Sequence, residues 1–189
     1  FSATIPAAVT AAFTRRAAQD SVTAFEAFHA AVATALAEVT GDHRTLSATP
    51  VSRRTLDDAD VVDDFVVTAI IPLTTDRSPH RVAAETRRCR DAAVIPMEEV
   101  LSLVGRPVDP DRLFPVPVLI GWDLSPPHLD GIGRIHVFPP KNTRWLLQVD
   151  GTIMPSGDLR VLVTGAADTL GTERLERILA ATVETVSAS

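Results

Sequence analysis

The chain has 189 residues, of which 46% are hydrophobic, enough for one folded domain or one lobe of a larger domain. Its 18 basic and 24 acidic residues give a formal net charge of -6, which argues against nucleic acid as a partner. The single cysteine, Cys89, excludes an internal disulfide and a multi-cysteine zinc site.

The sequence also argues against a membrane or metal partner. No apolar run approaches the roughly 20 residues that a membrane helix needs, and the N-terminus lacks the basic start of a signal peptide. None of the five histidines has a second histidine at the spacing of a helix-borne metal site. We therefore expect a cytoplasmic protein that binds no metal and no membrane.

The N-terminal segments predict two helices and a strand. Pro6 can begin a helix that runs to about residue 18. Ser21 or Thr23 can cap a second helix, which Gly41 would end. The stretch HRTLSATPVSRR then predicts a strand that ends in a loop, with Pro50 placed to break sheet pairing.

Two features of the first half, a histidine and a pair of aspartates, contain side chains of the types used in catalysis. His29 lies among alanines in the second helix, and we interpret it as a structural histidine bonded to a backbone carbonyl. The β-branched stretch ADVVDDFVVTAIIPLTT predicts a strand buried on both faces. Asp63 and Asp64 interrupt it, and neighbours in a strand point to opposite faces, so we do not predict that they share a proton.

The middle of the chain predicts two more helices. SPHRVAAETRRCRDAAV has the composition of a helix capped near Ser78, and MEEVLSLVG that of a shorter helix stopped by Gly105. Arg87, Arg88 and Arg90 give the first of these a basic face, which we interpret as solvated rather than as a phosphate site. No histidine is near Cys89 in sequence, which favours a buried or incidental thiol over a nucleophile.

The C-terminal third predicts strands followed by a helix. The strand candidates are FPVPVLIGWDL, GRIHVF, TRWLLQVDGTI and DLRVLVTGA. The last two form a hairpin candidate around Gly157, and Thr172 can cap the amphipathic helix ERLERILAATVETV. Four or five strands between helices at both ends predict an α/β sandwich, in which helices flank a mixed sheet.

Several quoted stretches, taken in order, resemble one family. The opening FSATIPAAVTAAF and the helix SVTAFEAFHAAVATALAEVTG resemble the start of the second lobe in condensation domains of nonribosomal peptide synthetases. These domains belong to the chloramphenicol-acetyltransferase-like acyltransferases. The helix is similar to the family pattern g-T-x-F-x-x-L-x-A-A-x-A-x-x-L-x-x-x-T-G.

Three further stretches are similar to motifs of that family. TPVSRR matches Thr-Pro-Val-x-x-Arg, and VDDFVVT falls where the family has Ile/Val-Gly-x-Phe-Val-Asn-Thr; the agreeing positions are Thr49, Pro50, Val51, Arg54, Val62, Phe65, Val66 and Thr68. Asp63 replaces the glycine, and Val67 replaces the asparagine. AAVIPMEE keeps Pro96 and Glu98 of His-Gln-Asp-Tyr/Val-Pro-Phe-Glu, with Met97 in place of Phe.

The resemblance implies that residues 1–189 are the C-terminal lobe of a two-lobed domain. A tunnel between the lobes would admit the phosphopantetheine arms of two carrier proteins, and no cofactor would bind to the lobe directly. The missing N-terminal lobe would be the second partner. Arg54 and Thr68 are the candidate residues on the substrate side of the tunnel.

The family's catalytic motif, His-His-x-x-x-Asp-Gly, belongs to the first lobe and does not occur in this sequence. In SPPHLDGIG, only one residue separates His128 from Asp130, where the motif has three. The flanking prolines and glycines favour a turn there. The resemblance therefore implies no catalytic residue in this chain and an inactive isolated lobe.

Four functions remain open at this point. The intact domain could form amides in nonribosomal peptide biosynthesis, or it could be an ester-forming lipid or polyketide acyltransferase of the same superfamily. It could instead be a degenerate, non-catalytic domain that recruits a carrier protein or partner enzyme. Last, a free-standing half-domain could pair with itself or with a separate first lobe.

Overall fold

A computed structural model describes residues 1–53, 66–74, 79–106, 108–109, 113–124 and 144–188. The strands of this part are β1 (Ser2–Ile5), β2 (Arg44–Ser52), β3 (Val66–Thr74), β4 (Val118–Leu124), β5 (Leu147–Ile153) and β6 (Leu159–Gly165). Its helices are α1 (Ala7–Gln19), α2 (Ala24–Thr40), α3 (Pro79–Ala92), α4 (Met97–Leu103), α5 (Ala167–Leu170) and α6 (Thr172–Ala188).

The predicted ends of α2 are confirmed. The Thr23 hydroxyl accepts a hydrogen bond from the Glu26 backbone N–H, and the Glu26 carboxylate accepts one from the Thr23 backbone N–H, which completes a capping box. Gly41 ends the helix with a φ of 72°. Local sequence thus sets both ends of the helix.

The described strands form one mixed sheet in the order β1-β6-β5-β4-β2-β3. Strand β4 runs parallel to β2 and to β5, and the other neighbours are antiparallel. The predicted hairpin of β5 and β6 is present, with Gly157 at a φ of 86°. The predicted architecture, a mixed sheet flanked by helices, is confirmed.

Strand β1 was not expected from the sequence. Its four residues pair with Leu159–Leu162 of β6, and the chain's first amino group donates a hydrogen bond to the Val163 carbonyl oxygen. With β1 the described part has six strands rather than four or five. A four-residue stretch is too short to show periodicity, so only pairing with β6 identifies it.

The expectation that Pro50 breaks sheet pairing was wrong. Pro50 lies inside β2 and pairs with Thr68 of β3. Strand β4 pairs with β2 only at Ser47 and Ala48, so at Pro50 the side of β2 away from β3 has no neighbouring strand. A proline fits such a position because its missing N–H removes no ladder hydrogen bond.

One face of the sheet packs against helices and holds the main core. Phe28 and Val32 of α2 and Ile178 of α6 pack there against side chains of β4, β5 and β6. Gly151 of β5 lets the strand approach α2 closely, because a Cβ at that position would lie 3.0 Å from the Phe28 ring. The main core is therefore formed between α2, α6 and the sheet.

The opposite face is covered by α4 at one end. Met97 and Leu101 pack with Ala48 of β2. Helix α3 lies on the face of the sheet away from α4, where Cys89 packs with Ala69 and Ile71. Residues 93–96 therefore pass around the outer edge of β3. β3 is an edge strand of the described sheet, and the prediction of a strand buried on both faces was wrong there: Val66 is exposed and only alternate residues are buried.

Within the described ranges, no helix by itself has the length and apolar character needed to cross a bilayer; α1 and α2 reach them only as a pair bent by 104°. Several predicted features lie outside the described residues. They are Arg54, Asp63, Asp64, Ser78, the strand GRIHVF, and His128 with Asp130.

Candidate functional site

Thr68 is the predicted site residue that the structure describes. It lies on β3, half-buried, on the face of the sheet that carries Ala48 and Ile70. Its hydroxyl makes no hydrogen bond within the described part of the chain. Thr68 therefore presents a free hydroxyl at the edge of the sheet.

A cavity of about 200 Å³ opens beside Thr68. Its walls are β3, the end of α3, the segment from 93 to 96, and α4. The cavity exists because its wall includes three small side chains, those of Ala69, Ala92 and Ala93; larger residues at these positions would fill the space. The cavity is the candidate binding site, and it is mainly apolar apart from Thr68 and Arg88.

Arg88 gives the rim of the cavity its positive charge. Its Nε donates a hydrogen bond to Glu85 Oε2 at 3.2 Å, so the cation has a carboxylate partner on the same helix. The hydrogen bond that Arg88 donates to Glu85 also holds the pKa of Arg88 above its ordinary value. The charge at the rim is thus largely compensated.

The basic face predicted on α3 is engaged within the protein. Arg87 donates from Nε and from a terminal nitrogen to the Glu26 carboxylate at 3.0 and 2.9 Å. The Arg90 guanidinium lies 5.2 Å from the centre of the Phe25 ring, a cation–π contact. These contacts tie α3 to α2, and they are not arranged as a phosphate site.

His29 is structural, as predicted, but its hydrogen-bond partners are side chains. Its ring is fully buried and lies 3.0 Å from Ser47 Oγ and 3.1 Å from Thr86 Oγ1. Ser47 in turn donates its hydroxyl hydrogen to the Ile71 carbonyl oxygen at 3.2 Å. The expected bond to a backbone carbonyl is therefore replaced by a chain of side-chain contacts.

These contacts assign the tautomer of His29. Because the Ser47 hydrogen is used on Ile71, Ser47 must accept from Nε2–H, and Nδ1 must accept from Thr86. A nucleophilic serine needs the reverse direction, with its hydroxyl donating to the histidine. Burial lowers the pKa of His29 from 6.5 to about 4. His29 and Ser47 form a neutral structural pair and not a catalytic dyad.

Cys89 does not have the surroundings of a reactive thiol. Burial and the carboxylate of Glu85 raise its pKa above the ordinary value, and they outweigh the opposing effect of Arg88. A raised pKa reduces the thiolate fraction at neutral pH. The raised pKa favours the predicted buried or incidental thiol, and the half-buried thiol contributes to the wall of the cavity.

The sequence did not predict the polar group formed by Asp150, Gln148 and Thr164 on the face of the sheet away from α2. Burial raises the pKa of Asp150, whose carboxylate lies over Gly121 and accepts from Gln148 Nε2 at 2.8 Å. Thr164, on the same face of β6, has a buried hydroxyl without a partner in the described structure. The acidic residue within the apolar alternation of LQVDGTI was the available signal.

The described residues also bear on two other classes of site, a metal centre and a second cavity. They contain no group of three or more His, Cys, Asp and Glu side chains arranged to hold a metal ion. A second cavity, of about 230 Å³, lies between α1, α2 and the end of α6. Phe13 and a row of α2 alanines line it, and none of the predicted site residues is there.

No protein-family model and no curated protein sequence matches the chain. Solved structures do. The condensation domain of the Monacolin K polyketide synthase MokA is 13% identical, with a TM-score of 0.81, over 100% of this chain and 46% of that chain. The X-domain in complex with OxyB from teicoplanin biosynthesis is 14% identical, with a TM-score of 0.80, over 100% of this chain and 44% of that chain.

The PapA2 acyl transferase is 17% identical, with a TM-score of 0.72, over 98% of this chain and 43% of that chain. The chain has the chloramphenicol-acetyltransferase-like fold of condensation domains. At these identities the likeness establishes the fold. The chain spans less than half of each of these three solved structures.

Within this condensation-domain fold, the structure brings Thr68 together with Cys89 and Arg88 around one cavity. Arg54, the other predicted tunnel residue, lies outside the described residues. Ala92 and Ala93 were missed by sequence reasoning because alanine is also an ordinary helix residue. Only the passage of residues 93–96 around the sheet edge makes these alanines part of a cavity wall.

Proposed function

We propose that this chain is the C-terminal lobe of a condensation-type domain that forms amide bonds in nonribosomal peptide biosynthesis. The observation that carries the proposal is the match of the whole chain to one part of a condensation domain. The order of the sequence motifs supports the C-terminal position. The activity belongs to the complete domain, of which this lobe supplies one side.

The proposed reaction joins an acyl or peptidyl thioester on one carrier protein to an amine acceptor. The amine nitrogen attacks the thioester carbonyl carbon, the C–N bond forms, and the C–S bond breaks. The proton lost by the amine ends on the thiol of the leaving phosphopantetheine arm. That arm would enter with the carrier protein, so the lobe itself would bind no separate cofactor.

The catalytic base would come from the N-terminal lobe, through the His-His-x-x-x-Asp-Gly motif. The geometry of His29 supports this division, because its ring is buried and both nitrogens are used in hydrogen bonds. This lobe would hold the reactants in the attack geometry, a contribution of positioning rather than proton transfer. Arg54 and Thr68 are proposed to face the substrates.

Two alternatives have support of their own. The likeness to the PapA2 acyl transferase supports an acyltransferase outside peptide synthesis, and the ester-forming alternative would differ from the proposal in the acceptor atom. The likeness to an X-domain solved in complex with OxyB supports a non-catalytic domain that recruits a partner protein. The replacement of the family's asparagine by Val67 and the loss of His-Gln-Asp before Ile95 also favour the second alternative.

The deciding experiment uses the complete domain that contains this lobe, supplied with an acyl-pantetheine thioester and equal concentrations of an amine and an alcohol. Mass spectrometry of the products separates the candidates. Amide product supports the proposal, and ester product supports the lipid or polyketide acyltransferase. Formation of neither product overturns both catalytic functions, and the matched control is the same domain without the second histidine of the first-lobe motif.

A further inference from the structure

The outer edge of β3 carries backbone groups that no other described strand pairs. β3 is the last strand of the described sheet, and its register with β2 is continuous from Val66 to Thr74. In an antiparallel strand, the N–H and C=O of one residue point together, alternately toward the neighbouring strand and away from it. Among Thr68, Ala69 and Ile70, either the middle residue or both outer ones therefore point away from β2.

The segment that passes this edge does not pair with it. Backbone hydrogen bonds of that segment return to its own helices, from Ala93 N to Arg90 O, from Val94 N to Ala92 O, and from Val100 N to Pro96 O. In the described part of the chain, no backbone hydrogen bond joins residues 93–96 to residues 68–70. The segment covers the edge of β3, and within the described residues the outward groups of that strand stay unpaired.

The space between the edge and the segment is the 200 Å³ cavity described above. Apart from Arg88 at the rim, its remaining walls are mainly apolar, from Ile95, Val100, Ala92 and Ala93. An unpaired N–H and C=O on one strand, with the free Thr68 hydroxyl beside them, match a ligand that has a donor and an acceptor at the spacing of a peptide group. Apolar walls favour an apolar substituent next to it.

We propose that the cavity at the edge of β3 binds a secondary amide that carries a small apolar side chain, as an N-acylated amino acid or a peptide does. The amide pairs with the outward backbone groups of β3, and the side chain enters the space left by Ala92 and Ala93. In the complete domain this cavity is a subsite for an amide-bearing substrate, and that role rests on the proposed function. The binding itself is a property of this chain.

The test is an NMR titration of the isotopically labelled 189-residue chain with N-acetyl-leucine N-methylamide. We expect saturable shifts of the backbone amide signals of Thr68, Ala69 and Ile70. The matched ligand is an ester isostere in which oxygen replaces each N–H. It should bind about tenfold more weakly, since one lost hydrogen bond is worth roughly that factor.

Two variants test the position of the ligand. Ala92→Leu places a larger side chain at the cavity wall, at an exposed position where folding tolerates it, and should weaken binding at least about tenfold. Ala84→Leu, exposed on the same helix but outside the cavity, is the control and should leave binding unchanged. Thr68→Val removes the hydroxyl and should weaken binding by about threefold to tenfold.

Three results would overturn the inference: no saturable shift at residues 68–70, equal binding of amide and ester, or unchanged binding by a correctly folded Ala92→Leu variant. Failure of the proposed function gives a different result. The chain would then bind the amide while the complete domain forms no amide product. The two experiments therefore fail independently.

Discussion

His29 shows how burial of a single ring couples stability to pH. The folded chain keeps His29 neutral down to about pH 4, whereas the unfolded chain takes up that proton near pH 6.5. The contribution of His29 to stability is therefore complete above about pH 6.5 and is lost as the pH falls toward 4. We expect this loss to be roughly 3 kcal/mol, measured by urea unfolding at a series of pH values.

The variant His29→Gln keeps one donor and one acceptor but does not titrate. Between pH 4 and 6.5, its free energy of unfolding should depend less steeply on pH than that of the parent, by about 1.4 kcal/mol per pH unit at most. His80→Gln is the control, because His80 is exposed. An unchanged slope in His29→Gln would contradict the assignment.

Asp150 has the opposite dependence. Burial raises the pKa of its carboxyl group, with a smaller contribution from Asp123, so the folded chain retains the proton to a higher pH than the unfolded chain. The free energy of unfolding therefore falls as the pH rises through the pKa that Asp150 has in the folded chain. Asp150→Asn should raise the free energy of unfolding at pH 7 by about 0.5–2 kcal/mol.

The low-pH limit is the control for Asp150→Asn. At about pH 3 the carboxyl is mostly protonated in both states, so the variant and parent should unfold at nearly the same denaturant concentration. Gln148 can still donate to the asparagine carbonyl oxygen. A variant less stable than the parent at pH 7 would show that the ionised carboxylate is the form that the fold requires.

At the scale of elements, Glu26 joins two helices. Its carboxylate completes the cap of α2 and accepts from Arg87 of α3, and its side chain is only 1% exposed. Burial works to raise the pKa of Glu26, but the hydrogen bonds from Arg87 and Thr23 outweigh it and hold the pKa below its ordinary value. The contact thus stabilises the charged form.

Glu26→Gln should lower the free energy of unfolding by about 1–2 kcal/mol. The value is at the low end for a charged pair, because the Arg87 side chain is 52% exposed and solvent screens it. Glu85→Gln is the matched control, since it breaks a pair within one helix with the more exposed Arg88 and should cost less than about 0.5 kcal/mol. Equal losses in urea unfolding would contradict the role of Glu26.

For the whole molecule, the proposed division of labour between lobes makes a kinetic prediction. If the complete domain forms amides as proposed, His29→Gln should change the rate at pH 7.5 by less than about twofold, because the His29 ring is buried and both of its nitrogens are hydrogen-bonded within this lobe. Removing the second histidine of the first-lobe motif should reduce that rate by about 10²-fold to 10⁴-fold. A comparable loss in a correctly folded His29→Gln variant would place the base in this lobe.

Sequence reasoning succeeded where the signal is local. The ends of α2 and the hairpin of β5 and β6 follow from capping residues and glycines a few positions apart. It failed for β1 and at Pro50, because a strand's neighbours come from distant parts of the chain. Pro50 fits inside β2 only because β4 pairs with that strand at two other residues.

The candidate site divides in the same way. The sequence pointed to Thr68, but the cavity beside it depends on α3 and α4 lying on opposite faces of the sheet. The partners of His29 likewise come from 18 and 57 residues away. No pattern within a window of one helix or strand contains that information.

By itself, the sequence determined the ends of α2, most strands, the α/β class and the resemblance to condensation domains. These depend on periodicity, capping and motif order, which are properties of neighbouring residues. The tertiary structure decided that His29 is neutral and sealed, that β3 is an edge strand, and that two alanines form a cavity wall. Those properties depend on which distant segments come together, and that is set by packing of the whole core.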